Sequence, residues 1–443
     1  MSAPPSKRKS VVPASRLGRL LGFGLAATEL VLGGLVGGLR GTGSAGSRGT
    51  RGAFLNAGNA RRFAERLAHL RGAAMKLGQL LSLEGDDLLP PEFSQALSVL
   101  RAGANAMPAA QLSRVLSREY GSKWERRFAE FDPEPIAAAS IGQVHRARAT
   151  DGRELAIKIQ YPGVARSIAS DVDNVAALLR IANLLPVDLD VSGLAAEAKR
   201  QLRQEADYLQ EAKFLERYRS LVADEPGLRV PRVHADLTTR HALAMDYLEG
   251  TPLEDLAATG IAQSQRDRIG KLLEHLLFRE LFEFGFMQTD PNFGNYLYDA
   301  TQRSVVLLDF GSTREFSHDF VAHYRETCRA ILAGDRARVR RGALAIGYLA
   351  PGDSAQRVRA VADMMMLVCE PLRHRGRYDF AASDLPVRVR DLGFDLLFRR
   401  GLLRAPPPET LFLHRKLVGS FQLCARIGAR VDVGALVRPF LGV

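Results

Sequence analysis

Two short polar motifs constrain the fold of this chain more than any other feature of its sequence. Asp290 and Asn295 stand in a D-x-x-x-x-N pattern, and the apolar run 305–308, a predicted strand, ends in Asp309-Phe310-Gly311. Carboxylate and amide oxygens are the ligands that Mg²⁺ prefers, and Mg²⁺ commonly bridges the phosphates of a nucleotide. The motifs therefore predict that Asn295 and Asp309 hold a metal ion, with Asp290 as the catalytic carboxylate.

A lysine farther upstream completes a pattern that is typical of protein kinases. Lys158 ends the apolar segment Leu155-Ala156-Ile157 within a predicted strand at 154–160. An ammonium group in such a strand requires an anionic partner, because burying the charge alone is costly. Glu211, on a predicted helix at 194–219, has the position of the glutamate that pairs with the phosphate-binding lysine of kinases. Taken alone, Lys158 fits the solvent face of an edge strand equally well.

The first fifty-two residues form a separate basic, apolar and Gly-rich segment. Lys7, Arg8 and Lys9 precede an apolar run at 20–39, which has the length of a membrane span. Glu29 lies within the run, and a charge is expensive at the centre of a bilayer. We therefore predict peripheral membrane association of residues 1–52 rather than a true span.

Charge and cysteine content bear on partners and compartment. The net charge of +12 suits anionic partners such as a nucleotide or an acidic lipid, although Arg-biased coding accounts for much of it, and no nucleic-acid partner is expected. The three cysteines, Cys328, Cys369 and Cys424, are far apart and form no zinc pattern. Scarce cysteine favours a reducing compartment. We predict a location at the cytoplasmic side of a membrane.

Further segments carry a resemblance to a known family. They are Lys76-Leu77-Gly78-Gln79, Ala137-Ala138-Ala139-Ser140, Glu205-Ala206-Asp207, Ile159-Gln160-Tyr161-Pro162-Gly163-Val164 and Leu413-His414-Arg415-Lys416. With these and the Asp-Phe-Gly triplet, the chain resembles the UbiB (AarF, ABC1-type) family of atypical kinases from about Asn59 onward. The family commonly has His at the positions of Gln288 and Asn292. The form found here resembles the eukaryotic-type coenzyme-Q branch.

The resemblance implies an α+β, two-lobed, protein-kinase-like fold with a helical N-terminal extension over the cleft. We place that extension at 53–120, the small lobe at 121–247 and the helical large lobe at 248–443. The hinge is expected near residues 245–250. A cleft covered in this way would obstruct a protein substrate.

Roles for individual residues follow from the same resemblance. Lys76 and Gln79 would reach into the site as regulatory residues, with Lys76 held by Glu205 and Asp207. An Ala-rich loop replaces the usual Gly-rich loop, and its methyl groups restrict the approach of the backbone to phosphate. The residues expected to contact the nucleotide are Ala137, Ala138, Ala139, Ser140, Lys158, Met245 and Tyr247.

The resemblance implies an atypical kinase or ATPase that uses ATP or ADP with Mg²⁺ and supports ubiquinone (coenzyme Q) or related isoprenoid-lipid biosynthesis. Expected partners are an anionic membrane or isoprenoid lipid and proteins of quinone biosynthesis. One alternative is a nucleotide-gated lipid-binding scaffold with little phosphotransfer. Another is a small-molecule kinase, against which the segment from Lys76 to Gln79 argues. The phosphoryl acceptor and the oligomeric state stay open.

Overall fold

The computed structural model describes residues 106–181, 191–290, 292–396, 400–402 and 407–443. Lys76, Gln79 and the apolar run at 20–39 lie outside these ranges, as does most of the predicted extension. The described residues divide into two compact units. The first unit ends at Lys213 and also contains Arg232–Tyr247, whereas the second contains Phe214–Pro231 and Leu248–Val443.

The first unit is built on an antiparallel sheet. Its strands are β1 (Phe128–Phe131), β2 (Ala137–Ala138), β3 (Gly142–Ala149), β4 (Glu154–Gln160) and β6 (Ala242–Asp246). They lie in the order β1-β3-β4-β6, with β2 also paired to β3. The strand predicted at 154–160 is confirmed as β4.

The side chains of β4 alternate between the two faces of the sheet. Leu155, Ile157 and Ile159 belong to the core of the first unit, together with alanines of β3 and β6. Helix α1 (Ala109–Tyr120), which the predicted boundaries put before the small lobe, packs on this core through Leu112 and Leu116. Because successive side chains of a strand point to opposite faces, Lys158 lies on the other side of the sheet.

Three helices follow the sheet in sequence: α2 (Val164–Ile181), α3 (Val191–Glu205) and α4 (Tyr208–Leu221). The single helix predicted at 194–219 is therefore wrong, since the helix is interrupted between Glu205 and Tyr208. At the break, the main-chain oxygen of Asp207 accepts hydrogen bonds from the N–H groups of Gln210 and Glu211, which begins α4. The division between the two units falls within α4.

Short strands of the second unit form two sheets that carry the polar motifs. β7 (Thr251–Pro252), β9 (Tyr296–Asp299), β10 (Ser304–Leu307) and β5 (Leu228–Arg229) form one sheet. β8 (Phe286–Gln288) pairs with β11 (Thr313–Glu315) in the other. A further pair joins β12 (Tyr378–Asp379) to β13 (Arg430–Val431).

Helices make up most of the second unit. The first of them, α5 (Gln263–Phe278), continues as a π-helical turn over Arg279–Phe284. The later helices are α6 (His318–Leu332), α7 (Arg336–Ile346), α8 (Ala355–Val368), α9 (Glu370–Arg373), α10 (Leu385–Phe394), α11 (Pro408–Ile427) and α12 (Val433–Leu441). In the part of the chain that the structure describes, no helix combines the length and apolarity required to cross a bilayer.

Candidate active site

Lys158 and Glu211 form a buried ion pair in the first unit. Nζ of Lys158 lies 2.8 Å and 3.0 Å from the two carboxylate oxygens of Glu211. The two side chains are 8% and 1% exposed, so water screens the pair very little. The ring of Tyr208 lies 5.2 Å from the same ammonium group. The structure thus brings together two residues that the sequence analysis paired, and it places Lys158 away from solvent.

The Ala-rich segment forms a tight hairpin between β2 and β3. Ala137 and Ala138 pair with β3, and the N–H of Ala139 donates to the carbonyl of Gly142. A Cβ atom at Gly142 would lie only 2.4 Å from the carbonyl oxygen of Ile159, so this close approach of two strands requires glycine. The hairpin backbone is therefore fixed at its base by β4.

The structure joins the hairpin to one of the predicted regulatory carboxylates. The hydroxyl of Ser140 donates to Glu205 over 2.9 Å. Asp207 lies in an ion pair with Arg240 over 2.8 Å. Their predicted partner Lys76 lies outside the described residues, so its pairing stays a prediction.

Met245 and Tyr247 lie at the end of β6, where the first unit stops. Met245 is buried and pairs across the ladder with Ala156, two residues before Lys158 on the same face of β4. The N–H of Tyr247 donates to the carbonyl of Glu154, and the guanidinium of Arg146 lies 4.3 Å from the centre of its ring. These contacts hold the segment that was predicted to contact the nucleotide.

The hairpin of β9 and β10 brings Asn295 beside the Asp-Phe-Gly turn. Tyr296 is directly opposite Leu307, and the N–H of Leu308 donates to the carbonyl of Asn295 over 3.0 Å. Asn295 and Asp309 are therefore neighbours across the end of one ladder. In the turn itself, Oδ1 of Asp309 accepts a hydrogen bond from the N–H of Gly311.

Asp290 joins the same group in the second unit. Its Oδ2 accepts a hydrogen bond of 3.3 Å from the side-chain amide of Asn295. Its Oδ1 lies 2.5 Å from Nη2 of Arg415, a buried residue of α11. Asp290, Asn295 and Asp309 thus lie together, as predicted from their spacing, and a guanidinium group accompanies them.

The oxygen atoms of this group suit Mg²⁺. A protein commonly holds this ion with one or two side-chain oxygens, while substrate phosphates and water fill the remaining positions. Asp309 supplies a carboxylate. Asn295 uses its amide nitrogen toward Asp290, so its amide oxygen is the atom that can serve as a ligand.

A buried polar cluster, which the sequence analysis did not identify, lies behind the two motifs. Nζ of Lys416 is 2.8 Å from the carboxylate of Glu280, with side-chain exposures of 6% and 0%. Burial by itself would lower the pKa of Lys416, but the Glu280 carboxylate and the Tyr296 hydroxyl raise it above its ordinary value. Gln288 contacts this pair and both motifs. The signal in the sequence was the pair Arg415-Lys416 between the apolar residues 411–413 and 417–418, since buried charges need partners.

Comparisons with known proteins fit this arrangement. The ABC1 atypical kinase-like domain matches residues 99–343. A rat protein named atypical kinase COQ8B, mitochondrial, is 41% identical over 426 residues, which cover 96% of this chain and 80% of the rat protein. The Saccharomyces cerevisiae protein named atypical kinase COQ8, mitochondrial, is 36% identical over 431 residues, or 97% of this chain and 86% of its own.

A solved structure has a similar fold. The complex of Rv3197 with erythromycin, from Mycobacterium tuberculosis, superposes with a TM-score of 0.59 at 26% sequence identity. The match covers 86% of this chain and 94% of that one. Together with the domain match, it confirms the kinase-like fold that the sequence predicted.

Proposed function

Because the chain belongs to the ABC1 atypical kinase-like family, we propose that it is an atypical kinase or ATPase that binds ATP or ADP together with Mg²⁺. The observation that carries the proposal is the buried pair of Lys158 and Glu211, since a lysine fixed in this way is the phosphate-binding element of kinases. Relatives named atypical kinases support the same conclusion.

Each residue of the site has a distinct task in this proposal. The carboxylate of Glu211 orients Nζ of Lys158 toward phosphate oxygens, while Asp309 and Asn295 hold the metal ion. Mg²⁺ supplies positive charge that offsets the charge developing on the transferred phosphoryl group. Asp290 positions the group that attacks, or accepts its proton, and the hydrogen bond from Asn295 orients that carboxylate.

The names of the relatives support a role in ubiquinone or related isoprenoid-lipid biosynthesis. We propose that the chain acts there at a membrane, to which its N-terminal segment attaches peripherally. The side chains in contact with the nucleotide would include Met245 and the alanines of the β2–β3 hairpin.

One observation favours a second candidate, a nucleotide-gated lipid-binding scaffold with little phosphotransfer. Both oxygens of Asp290 are already engaged, Oδ1 by Arg415 and Oδ2 by Asn295. A carboxylate held on both sides is less available to accept a proton from a substrate hydroxyl. Measuring nucleotide turnover with and without lipid or quinone-precursor analogues separates the two candidates, because a scaffold would bind nucleotide without lipid-dependent turnover.

Calorimetric titration of nucleotide in the presence and absence of Mg²⁺ tests the central proposal. We expect Asp309→Asn to weaken Mg²⁺–nucleotide binding by about tenfold or more without unfolding the chain, because a neutral amide is a poorer ligand for Mg²⁺. Asp319→Asn removes an exposed carboxylate of α6 and is the matched control. Unchanged affinity in Asp309→Asn would remove the proposal.

A further inference from the structure

Gln288 is a buried side chain that contacts both polar loops of the second unit. It is 3% exposed and ends β8, just before the loop that carries Asp290. Its Nε2 donates to the main-chain oxygen of Asp290 over 2.7 Å and to that of Asp309 over 3.2 Å. An amide nitrogen carries two protons, so a single side chain can donate one to each loop.

The oxygen of the same side-chain amide is held by two hydrogen-bond donors. Its Oε1 accepts hydrogen bonds from the hydroxyl of Tyr296 at 3.1 Å and from Nζ of Lys416 at 3.4 Å. A reversed amide would turn its N–H groups toward the ammonium group of Lys416, which carries only donors. Lys416 and Tyr296 therefore set the direction in which Gln288 donates.

Glu280 in turn fixes Lys416. One carboxylate oxygen lies 2.8 Å from Nζ of Lys416, and the other accepts hydrogen bonds from the hydroxyl of Tyr218 and the N–H of Gln288. The carboxylate is fully buried: Oε1 accepts both hydrogen bonds, and Oε2 faces Lys416 as an ion pair. The ammonium group is thus held at one place by a carboxylate that cannot itself turn away.

We propose that Lys416 and Gln288 are positioning residues that set the separation of the loops carrying Asp290 and Asp309. Lys416 orients the amide of Gln288, and that amide holds the two main-chain oxygens at a fixed spacing. The inference rests on the proposed function for the roles of the two aspartates. Small displacements of groups that must align on one substrate cost large factors in rate, so this spacing is a functional quantity.

Gln288→Glu isolates the two donations. Glutamate has the same size and can still accept from Lys416 and Tyr296, but it cannot donate to the loops. We expect faster amide hydrogen exchange in both 289–295 and 308–313. Mg²⁺–nucleotide affinity should fall by about tenfold, the factor that corresponds to the net free energy of one intramolecular hydrogen bond. Gln422→Glu makes the same chemical change on the exposed side of α11 and should leave both quantities unchanged.

A second variant tests the contribution of Lys416. Lys416→Met/Glu280→Gln removes both charges together, so no uncompensated charge stays buried. We expect exchange to rise in the same two segments, by less than in Gln288→Glu, because Tyr296 still orients the amide. Gln288→His keeps one ring N–H that can donate a hydrogen bond. Amide exchange should therefore stay slow in one of the segments 289–295 and 308–313 and rise in the other.

Hydrogen exchange separates the failure of this inference from failure of the proposed function. If the unmodified protein binds no Mg²⁺–nucleotide, the proposed function is wrong, whereas the exchange rates of the two segments still decide whether Gln288 joins them. Wild-type exchange in Gln288→Glu, or a change in one segment only, overturns the inference. So does wild-type exchange in the double variant, which would leave Lys416 a structural residue.

Discussion

Nζ of Lys158 lies 2.8 Å and 3.0 Å from the two oxygens of Glu211, so one buried ammonium group faces both oxygens of one buried carboxylate. Removing either partner takes the facing charge away from a side chain that is only 8% (Lys158) or 1% (Glu211) exposed. The penalty for such a loss is roughly 3–5 kcal/mol, whereas a neutral replacement of both partners costs much less. The pair therefore offers a way to separate stability from nucleotide binding.

We expect Lys158→Met and Glu211→Gln each to lower the free energy of unfolding by roughly 3–5 kcal/mol, and the double variant to lower it less. Mg²⁺–nucleotide affinity should fall about tenfold or more in all three, because the oriented ammonium group is lost. Urea denaturation and calorimetric titration measure the two effects. Lys199→Met, which breaks a more exposed pair with Asp173, should cost about 1 kcal/mol or less. Wild-type affinity in Lys158→Met would make the pair purely structural.

Stability should fall in mild acid because of His414. Its Nε2 lies 2.5 Å from the hydroxyl of Tyr348, and burial lowers its pKa to about 4. Between its ordinary pKa of 6.5 and that value, the unfolded chain binds a proton that the folded chain does not. The free energy of unfolding therefore falls as pH drops through this window, by up to roughly 1.4 kcal/mol per pH unit from this one group.

Chemical denaturation between pH 7.5 and 5 checks the expected slope. His414→Gln should flatten it, since glutamine can still accept from Tyr348 but does not titrate. A part of the slope should survive, because burial also lowers the pKa of His145 in the first unit. His323→Gln removes an exposed histidine of α6 and serves as the control. An equal slope in His414→Gln and the unmodified chain would contradict the assignment.

Lys76→Ala and Asp207→Asn test the predicted restraint on the site. If Lys76 and Gln79 cover the cleft, the two variants should weaken the hold of this segment on the cleft. Autophosphorylation in cis should then rise by about tenfold, which corresponds to roughly 1.4 kcal/mol in the activation barrier, or nucleotide selectivity should change. The natural activity should fall in either case. A kinase assay with labelled nucleotide measures the change. Because Asp207 pairs with Arg240, Arg240→Gln shows what loss of that pair alone does. Wild-type behaviour of both variants would refute the inhibitory role.

Co-sedimentation with anionic liposomes tests the membrane prediction. The full chain should bind, and a chain that starts near Asn59 should bind less. Lys7, Arg8 and Lys9 together contribute roughly 3 kcal/mol at such a surface. Release by high salt alone indicates peripheral attachment rather than a span. Equal sedimentation of the two chains would place the contact on the folded part.

Local features of the site were predictable because they depend on neighbouring residues. The strand at 154–160 and the spacing from Asp290 to Asn295 and Asp309 are properties of short segments, and the structure brings the three polar residues together. The interruption at Ala206 and Asp207 was missed, because propensity alone favours a continuous helix there and the N–H of Tyr208 instead donates to the distant carbonyl of Arg240.

The long-range partners of Asp290 and Gln288 were not predictable from the sequence. Arg415 lies 125 residues after Asp290, and Lys416 lies 128 residues after Gln288. Outside the kinase pattern that paired Lys158 with Glu211, nothing in the sequence stated which buried carboxylate meets which cation. The sequence showed Arg415 and Lys416 side by side between apolar residues, and only the tertiary arrangement of the second unit assigns one to Asp290 and the other to Glu280.

The cluster of Glu280, Gln288 and Lys416 also limits the routes by which this site can evolve. Changing either charged member alone passes through an intermediate with an uncompensated buried charge, so the two positions should be replaced together or not at all. Substitution of Gln288 is constrained by the same pair, because the side-chain oxygen of Gln288 accepts a hydrogen bond from Lys416. A lineage that substitutes histidine there should carry a compensating change at Lys416 or Tyr296. The three positions should therefore change together during evolution, although Lys416 lies 128 residues after Gln288.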